Sequence, residues 1–204
     1  ISSPAVLLLG DSYFEMNGGT ISGNEGQCGT AVYLTGSSEN SKAHFVMNGG
    51  SLQNNVSKRY TTDSTPTGAV FVKYSAEFLM YGGEISGNTT LGNGGGVAVF
   101  DELPTEEHGT TFKMYGGMIA GNRAKGVGQP SGGGIYSFSN NVYLYGGLIQ
   151  DNAAYQGGGV YSEGNANVYT TLHLQDALIT GNTAKQGGGL WFCPTGNAEL
   201  YMTN

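Results

Sequence analysis

Phe78-Leu79-Met80-Tyr81-Gly82-Gly83-Glu84-Ile85-Ser86-Gly87-Asn88, followed after a short loop by Gly94-Gly95-Gly96-Val97, is the stretch on which the reading of the fold turns. Phe78 and Met80 lie two apart, as do Val70 and Val72 just upstream, which is strand alternation and not a 3.6-residue period. Glycine pairs and triplets recur too often for helices. The same skeleton, F-x-M-x-G-G-x-I-x-G-N and then G-G-G-V-Y, starts at Phe14, Phe45, Phe78, Phe112, Val142 and Leu172, and another copy opens at Leu200. The spacings are 31, 33, 34, 30, 30 and 28 residues, so the loops vary while the apolar skeleton holds. Short strands repeating at about 30 residues predict an all-β parallel β-helix (β-solenoid) with three strands per coil and six to seven coils. Residues 1–204 read as one such segment.

The interior can be written as columns of residues stacked about 4.8 Å apart. One holds Phe14, Phe45, Phe78, Phe112, Val142 and Leu172. The next holds Met16, Met47, Met80, Met114, Leu144, Leu174 and Met202, taking in five of the six methionines. A third holds Ile21, Leu52, Ile85, Ile119, Ile149 and Ile179, and a fourth Val32, Val70, Val97, Ile135, Val160 and Leu190. Gly-Gly pairs mark the bend between the first two strands, except in the sixth copy, where Asp176-Ala177 predicts a different corner. Asn24, Asn55, Asn88, Asn122, Asn152 and Asn182 form an unbroken column that stacked amides can satisfy among themselves. The residue before each is Gly, Asn or Asp, the set that tolerates a left-handed backbone, which predicts positive φ there.

Composition agrees and excludes several classes. The 37 glycines occur without a Gly-X-Y period and with only five prolines, which removes collagen. Apolar content of 38%, with 13 Tyr and 8 Phe, argues against disorder. Net charge is −7 and the eight Lys and Arg are scattered, so no nucleic-acid surface is expected. No run approaches the roughly 18 apolar residues of a membrane span. The apolar stretch at residues 5–9 is too short and lacks the basic flank of a signal peptide. Both ends read as cuts in a longer protein. Cys28 and Cys193 lie five coils apart, roughly 24 Å at about 4.8 Å per coil, so they are expected not to pair.

The F-x-M-x-G-G-x-I-S-G-N and G-G-G-V-Y elements resemble the repeats of large bacterial cell-surface proteins with right-handed β-helices. They are more loosely similar to the G-G-A-I and F-x-x-N repeats of chlamydial polymorphic membrane proteins, an adhesin and autotransporter family, with Gly-Gly-Gly-Val standing where those have Gly-Gly-Ala-Ile. The resemblance covers nearly the whole chain. It implies a right-handed coil, secretion, a bacterial surface location, and flanking coils or domains of the same protein as partners. It says little about activity, because pectin-cleaving enzymes of the pectate-lyase-like fold share the architecture.

Function divides between scaffold and enzyme. A glycosidase needs two carboxylates roughly 5–9.5 Å apart, and lyases of this architecture use acidic calcium ligands with a basic residue. The best local cluster is Asp101, Glu102, Glu106, Glu107 and His108, in one variable loop; Asp63 and Lys58-Arg59-Tyr60 occupy another. No Asp recurs in the strands, no calcium-roll motif is present, and no metal or cofactor is expected. The mixed column Ser22, Gln53, Ser86, Ala120, Gln150 and Thr180 is unlike the flat Thr array of an ice- or crystal-binding face.

Aromatic residues are the more informative exterior feature. If Val32 and its equivalents point inward, Tyr33, Phe71, Ala98, Tyr136, Tyr161 and Trp191 point outward. Tyr81, Tyr115 and Tyr145 make a second outward column at the glycine corner. Such columns either stack on themselves and stiffen the coils or present a track for sugar rings or a partner protein. The sequence thus favours a non-enzymatic structural or adhesive surface segment, a stalk or adhesin piece, with a carbohydrate-active lyase or hydrolase as the alternative. Ligand-binding candidates are Phe71, Tyr136, Tyr161, Trp191, Tyr81, Tyr115 and Tyr145, and host or microbial glycans or surface proteins are the expected partners.

Overall fold

A computed structural model describes residues 4–38, 40–58, 66–101, 109–166, 170–193, 195 and 197–203. Among these residues the chain is all-β, without a helix, and its strands pair in parallel into four sheets. Sheet one contains Val6–Leu9, Val32–Thr35, Val70–Lys73, Val97–Phe100, Ile135–Phe138, Val160–Glu163 and Leu190–Cys193. Sheet two contains Tyr13–Met16, His44–Met47, Glu77–Met80, Thr111–Met114, Asn141–Leu144, Thr170–Leu174 and Ala198–Met202. Sheet three has Thr20–Ser22, Ser51–Gln53, Glu84–Ser86, Met118–Ala120, Leu148–Gln150 and Leu178–Thr180. The chain visits the sheets in turn and returns to each one coil later, which makes it a parallel β-solenoid.

The three strands expected per coil are joined by a fourth, two residues long, in four coils: Glu25–Gly26, Val56–Ser57, Thr89–Thr90 and Arg123–Ala124. Beyond Arg123 this side shrinks to single bridges, Arg123 to Ala153 and Ala153 to Thr183.

Register follows the columns read from the repeat. Phe14, Phe45, Phe78, Phe112, Val142, Leu172 and Leu200 are successive partners, as are Met16 through Met202 two residues on. Phe14, Phe45, Phe78 and Phe112 stack with ring centroids 5.1, 4.7 and 4.9 Å apart. The last three are fully buried. In sheet two, burial alternates along the strands up to Thr170–Leu174, so every second residue faces out, and only at the last strand is the inward-column Met202 exposed. In sheet one the middle strands are buried at three successive positions, so that sheet is covered on both faces.

The corners follow from backbone chemistry. The residues before the asparagines, Gly23, Asn54, Gly87, Gly121, Asp151 and Gly181, have φ between 55° and 68°. The second glycine of each pair is left-handed as well; a Cβ on Gly83 (φ 86°) would come within 2.7 Å of the Gly50 carbonyl oxygen. Ala177 replaces that glycine in the sixth copy without a positive φ, so its corner is a different shape.

The asparagines are bonded end to end along the axis. Asn122 Nδ2 donates to Asn152 Oδ1 at 3.0 Å and to the Ile85 carbonyl at 2.8 Å. Its Oδ1 accepts from the Asn88 backbone N–H at 3.0 Å and from Asn88 Nδ2 at 2.9 Å. The pattern runs from Asn24 to Asn182, and the four central amides are fully buried. Each central side chain thus meets its full hydrogen-bonding capacity inside the protein.

Candidate binding surface

The outer face of sheet one does not present the aromatic track expected of it. Phe71, Tyr136 and Tyr161 are only 5%, 7% and 6% exposed, and Trp191 is half-buried. For Tyr136, Tyr161 and Trp191 the cause lies in the turn leading into the strand. In these turns and the one before Ala98, Gly94, Gly132, Gly157 and Gly187 fold the chain back over the outward residue. A Cβ on any of them would lie 2.7–2.9 Å from the Cβ of Ala98, Tyr136, Tyr161 or Trp191, respectively. Neighbouring coils close the remaining sides: Tyr136 stacks on Tyr161 at 5.2 Å, and Tyr161 on Trp191 at 4.4 Å with planes 3° apart. Cys28 belongs to the same covered layer, with Phe71 and Ala98. Neither Cys28 nor Cys193 forms a disulfide.

Burial raises the Tyr136 and Tyr161 phenols well above the usual tyrosine range. For Tyr161 the hydrogen bond it donates to Glu163 Oε2 at 2.5 Å adds to this, because the neutral phenol is the better donor. The folded chain therefore retains both protons where the unfolded chain releases them, from about pH 10 upward. Stability from these groups is complete below about pH 10 and is lost as pH rises beyond it. Denaturant melts from pH 8 to pH 11 should show an alkaline decline that is shallower in Tyr136→Phe; an identical decline would show that the buried phenols are not its source.

Of the acidic cluster, Glu102, Glu106, Glu107 and His108 lie outside the described residues, as do Asp63, Arg59 and Tyr60. Asp101 is buried to 1% exposure and holds the corner between sheets one and two. Its Oδ1 accepts from the Tyr74 backbone N–H at 2.5 Å and its Oδ2 from Thr110 Oγ1 at 2.8 Å. Thr110 in turn accepts from the Ser75 N–H, and Tyr74 and Ser75 both have positive φ. The carboxylate braces a strained corner. Lys58 pairs with Glu25.

The exposed aromatic surface is on sheet two. Tyr81 and Tyr115 are 49% and 42% exposed, and Tyr145 continues their column half-buried. Their centroids are 4.8 and 5.1 Å apart. Three further rings, not singled out from the sequence, extend the stack: Tyr145 to Tyr143 at 5.8 Å, Tyr143 to His173 at 4.9 Å and His173 to Tyr201 at 4.5 Å. Strand alternation carried the signal, since Tyr143, His173 and Tyr201 fall between the inward residues of their strands. The column they complete begins with Glu15, Val46, Leu79 and Lys113, which hid it.

The ridge runs across five successive strands, about 19 Å at ~4.8 Å per strand. Charged groups beside it are held by polar neighbours. Glu77 accepts from Lys113 Nζ at 2.8 Å and lies 3.4 Å from His44 Nδ1, and its carboxylate holds the Lys113 ammonium above the usual lysine range. Glu15 accepts from Asn48 Nδ2 at 2.9 Å and from the Tyr13 hydroxyl at 3.0 Å. The result is a rigid aromatic surface with amides and hydrogen-bonded carboxylates at its margins.

Comparison with protein families, curated proteins and solved structures returns no match for this chain.

Proposed function

We propose that this chain is a non-enzymatic structural and adhesive segment of a secreted bacterial surface protein, which meets a glycan or protein partner on the outer face of sheet two. The observation that carries the reading is the stack from Tyr81 to Tyr201, in which Tyr81, Tyr115 and Tyr201 are exposed and the rings between are half-buried, while the other aromatic column is covered. Its rings are held by their neighbours, so little side-chain freedom is lost on contact. The repeat itself supports a stalk: each coil packs on the next, and length is added without a new core. A lyase or hydrolase draws no support from Asp101, whose carboxylate is engaged in a buried corner.

The test is adhesion of beads coated with the chain to bacterial and host cell surfaces. Changing Tyr81, Tyr115 and Tyr145 together to Ala should weaken adhesion by about tenfold or more, while Phe71→Leu on the covered face should leave it unchanged. Full adhesion by the triple variant would refute the reading.

A further inference from the structure

We propose that the ridge takes an uncharged, extended glycan chain, read through the rims of its stacked rings and not through their faces. This rests on the reading of the ridge as the binding face. Tyr115 has a near-parallel ring on each side, Tyr81 at 8° and Tyr145 at 27°. His173 is likewise flanked on both sides, by Tyr143 and Tyr201, and Tyr143 has His173 on one face and Tyr145 of its own strand beside it. A ring flanked on both sides has both faces covered, and what remains for a ligand is its edge with the phenol hydroxyl or imidazole nitrogen. Sugar recognition by stacking on an open aromatic face is therefore closed to the inner rings, whereas hydrogen bonding to a row of hydroxyls is open.

Two features narrow the ligand. Polar rims recur at ~4.8 Å along two rigid runs, Tyr81-Tyr115-Tyr145 and Tyr143-His173-Tyr201, which meet side by side on one strand. A linear polymer with one sugar per step matches such a repeat. A protein partner would instead be expected to seat an anchor in a pocket near the centre of its interface, whereas the ridge presents a row of ring edges. Charge then excludes polyanions. Among the described residues of the three outward columns of sheet two, the one ammonium is Lys113, and it is engaged by Glu77. Glu15, Glu77 and Glu199 leave the face net negative, so uronate or sulfated chains would be repelled.

The experiment measures binding of the chain to neutral polysaccharides (a β-1,4-glucan, chitin oligosaccharides, xylan, mannan) and to polygalacturonate and heparin, at low and high salt. Three forms are compared: wild type, Tyr81→Phe/Tyr115→Phe/Tyr145→Phe, and the corresponding triple Ala variant. Phe preserves the stack and removes only the hydroxyls, so its melting curve should match wild type. The expected result is salt-insensitive binding of at least one neutral chain, reduced at least about tenfold in the Phe variant, with no binding of the polyanions. Binding confined to polyanions, or undiminished binding by the Phe variant, overturns the inference. Failure of every glycan while the Ala variant still loses cell adhesion also overturns it, assigns the ridge to a protein partner and leaves the adhesive reading standing. Retained cell adhesion in the Ala variant would sink both.

Discussion

Replacing Phe78 with Ala should destabilise the chain by about 3–5 kcal/mol, the largest single-residue effect expected in the interior. Phe78 is fully buried, and its ring is stacked on both sides, against Phe45 at 4.7 Å and Phe112 at 4.9 Å. Truncation removes the transfer term, opens a cavity at mid-column and breaks two ring contacts worth about 0.5–1.5 kcal/mol each. The pleated sheets on either side are fixed in register by their own ladders, so the gap has little freedom to collapse. Phe14 provides the comparison: it is half-buried with one stacked neighbour, and Phe14→Ala should cost clearly less. Urea denaturation of both variants measures the difference. Equal losses would mean that the column does not act as a continuous core.

Asn122→Ala should cost about 3 kcal/mol or more, although the substitution removes few atoms. Four hydrogen bonds end on this amide, and its loss strands the Ile85 carbonyl, Asn152 Oδ1, and the backbone N–H and Nδ2 of Asn88 with one partner fewer. A buried polar group left unsatisfied costs about 1–3 kcal/mol. Asn122→Asp should be similarly damaging, since a carboxylate cannot donate to Ile85 and Asn152 and its charge would be buried. Asn24→Ala, at the half-buried end of the ladder, should cost less. Adhesion by folded Asn122→Ala should equal that of wild type, because Asn122 is fully buried. A variant of undiminished stability that lost adhesion would reverse that assignment and make the column a site.

Most of the fold is legible in the repeat because each interior position is reported six or seven times. A single Phe-x-Met is ambiguous; the same pair at Phe14, Phe45, Phe78 and Phe112 leaves one arrangement that stacks them all. The left-handed position before each Asn is legible for the same reason, since Gly, Asn and Asp share no property there except tolerance of positive φ. The fourth strand was not legible: Glu25–Gly26, Val56–Ser57, Thr89–Thr90 and Arg123–Ala124 share no side-chain character and are held by backbone pairing.

The candidate surface was half legible. Alternation places Tyr136 and Tyr81 alike on the outside of their sheets. What separates them is whether another piece of chain lies over the position, and that depends on the direction in which Gly132 sends the backbone. Such folding-over is a tertiary property, and the outward position of a covered strand reads the same as that of a bare one. Asp101 shows the converse. A carboxylate in an acid-rich loop reads as solvated, yet hydrogen bonds from Tyr74 and Thr110 hold it inside.

Hydroxyl-radical footprinting read by mass spectrometry tests most directly whether sheet two, and not sheet one, carries the adhesive face. It would be run on the free chain and on the chain bound to the neutral polysaccharide it retains best. In the free chain Tyr81, Tyr115 and Tyr201 should oxidise readily, and Tyr136 and Tyr161 should resist. On binding, the first three should become protected, with the buried pair unchanged. Oxidation of Tyr136 and Tyr161 in the free chain, or protection that bypasses Tyr81 and Tyr115, would contradict it.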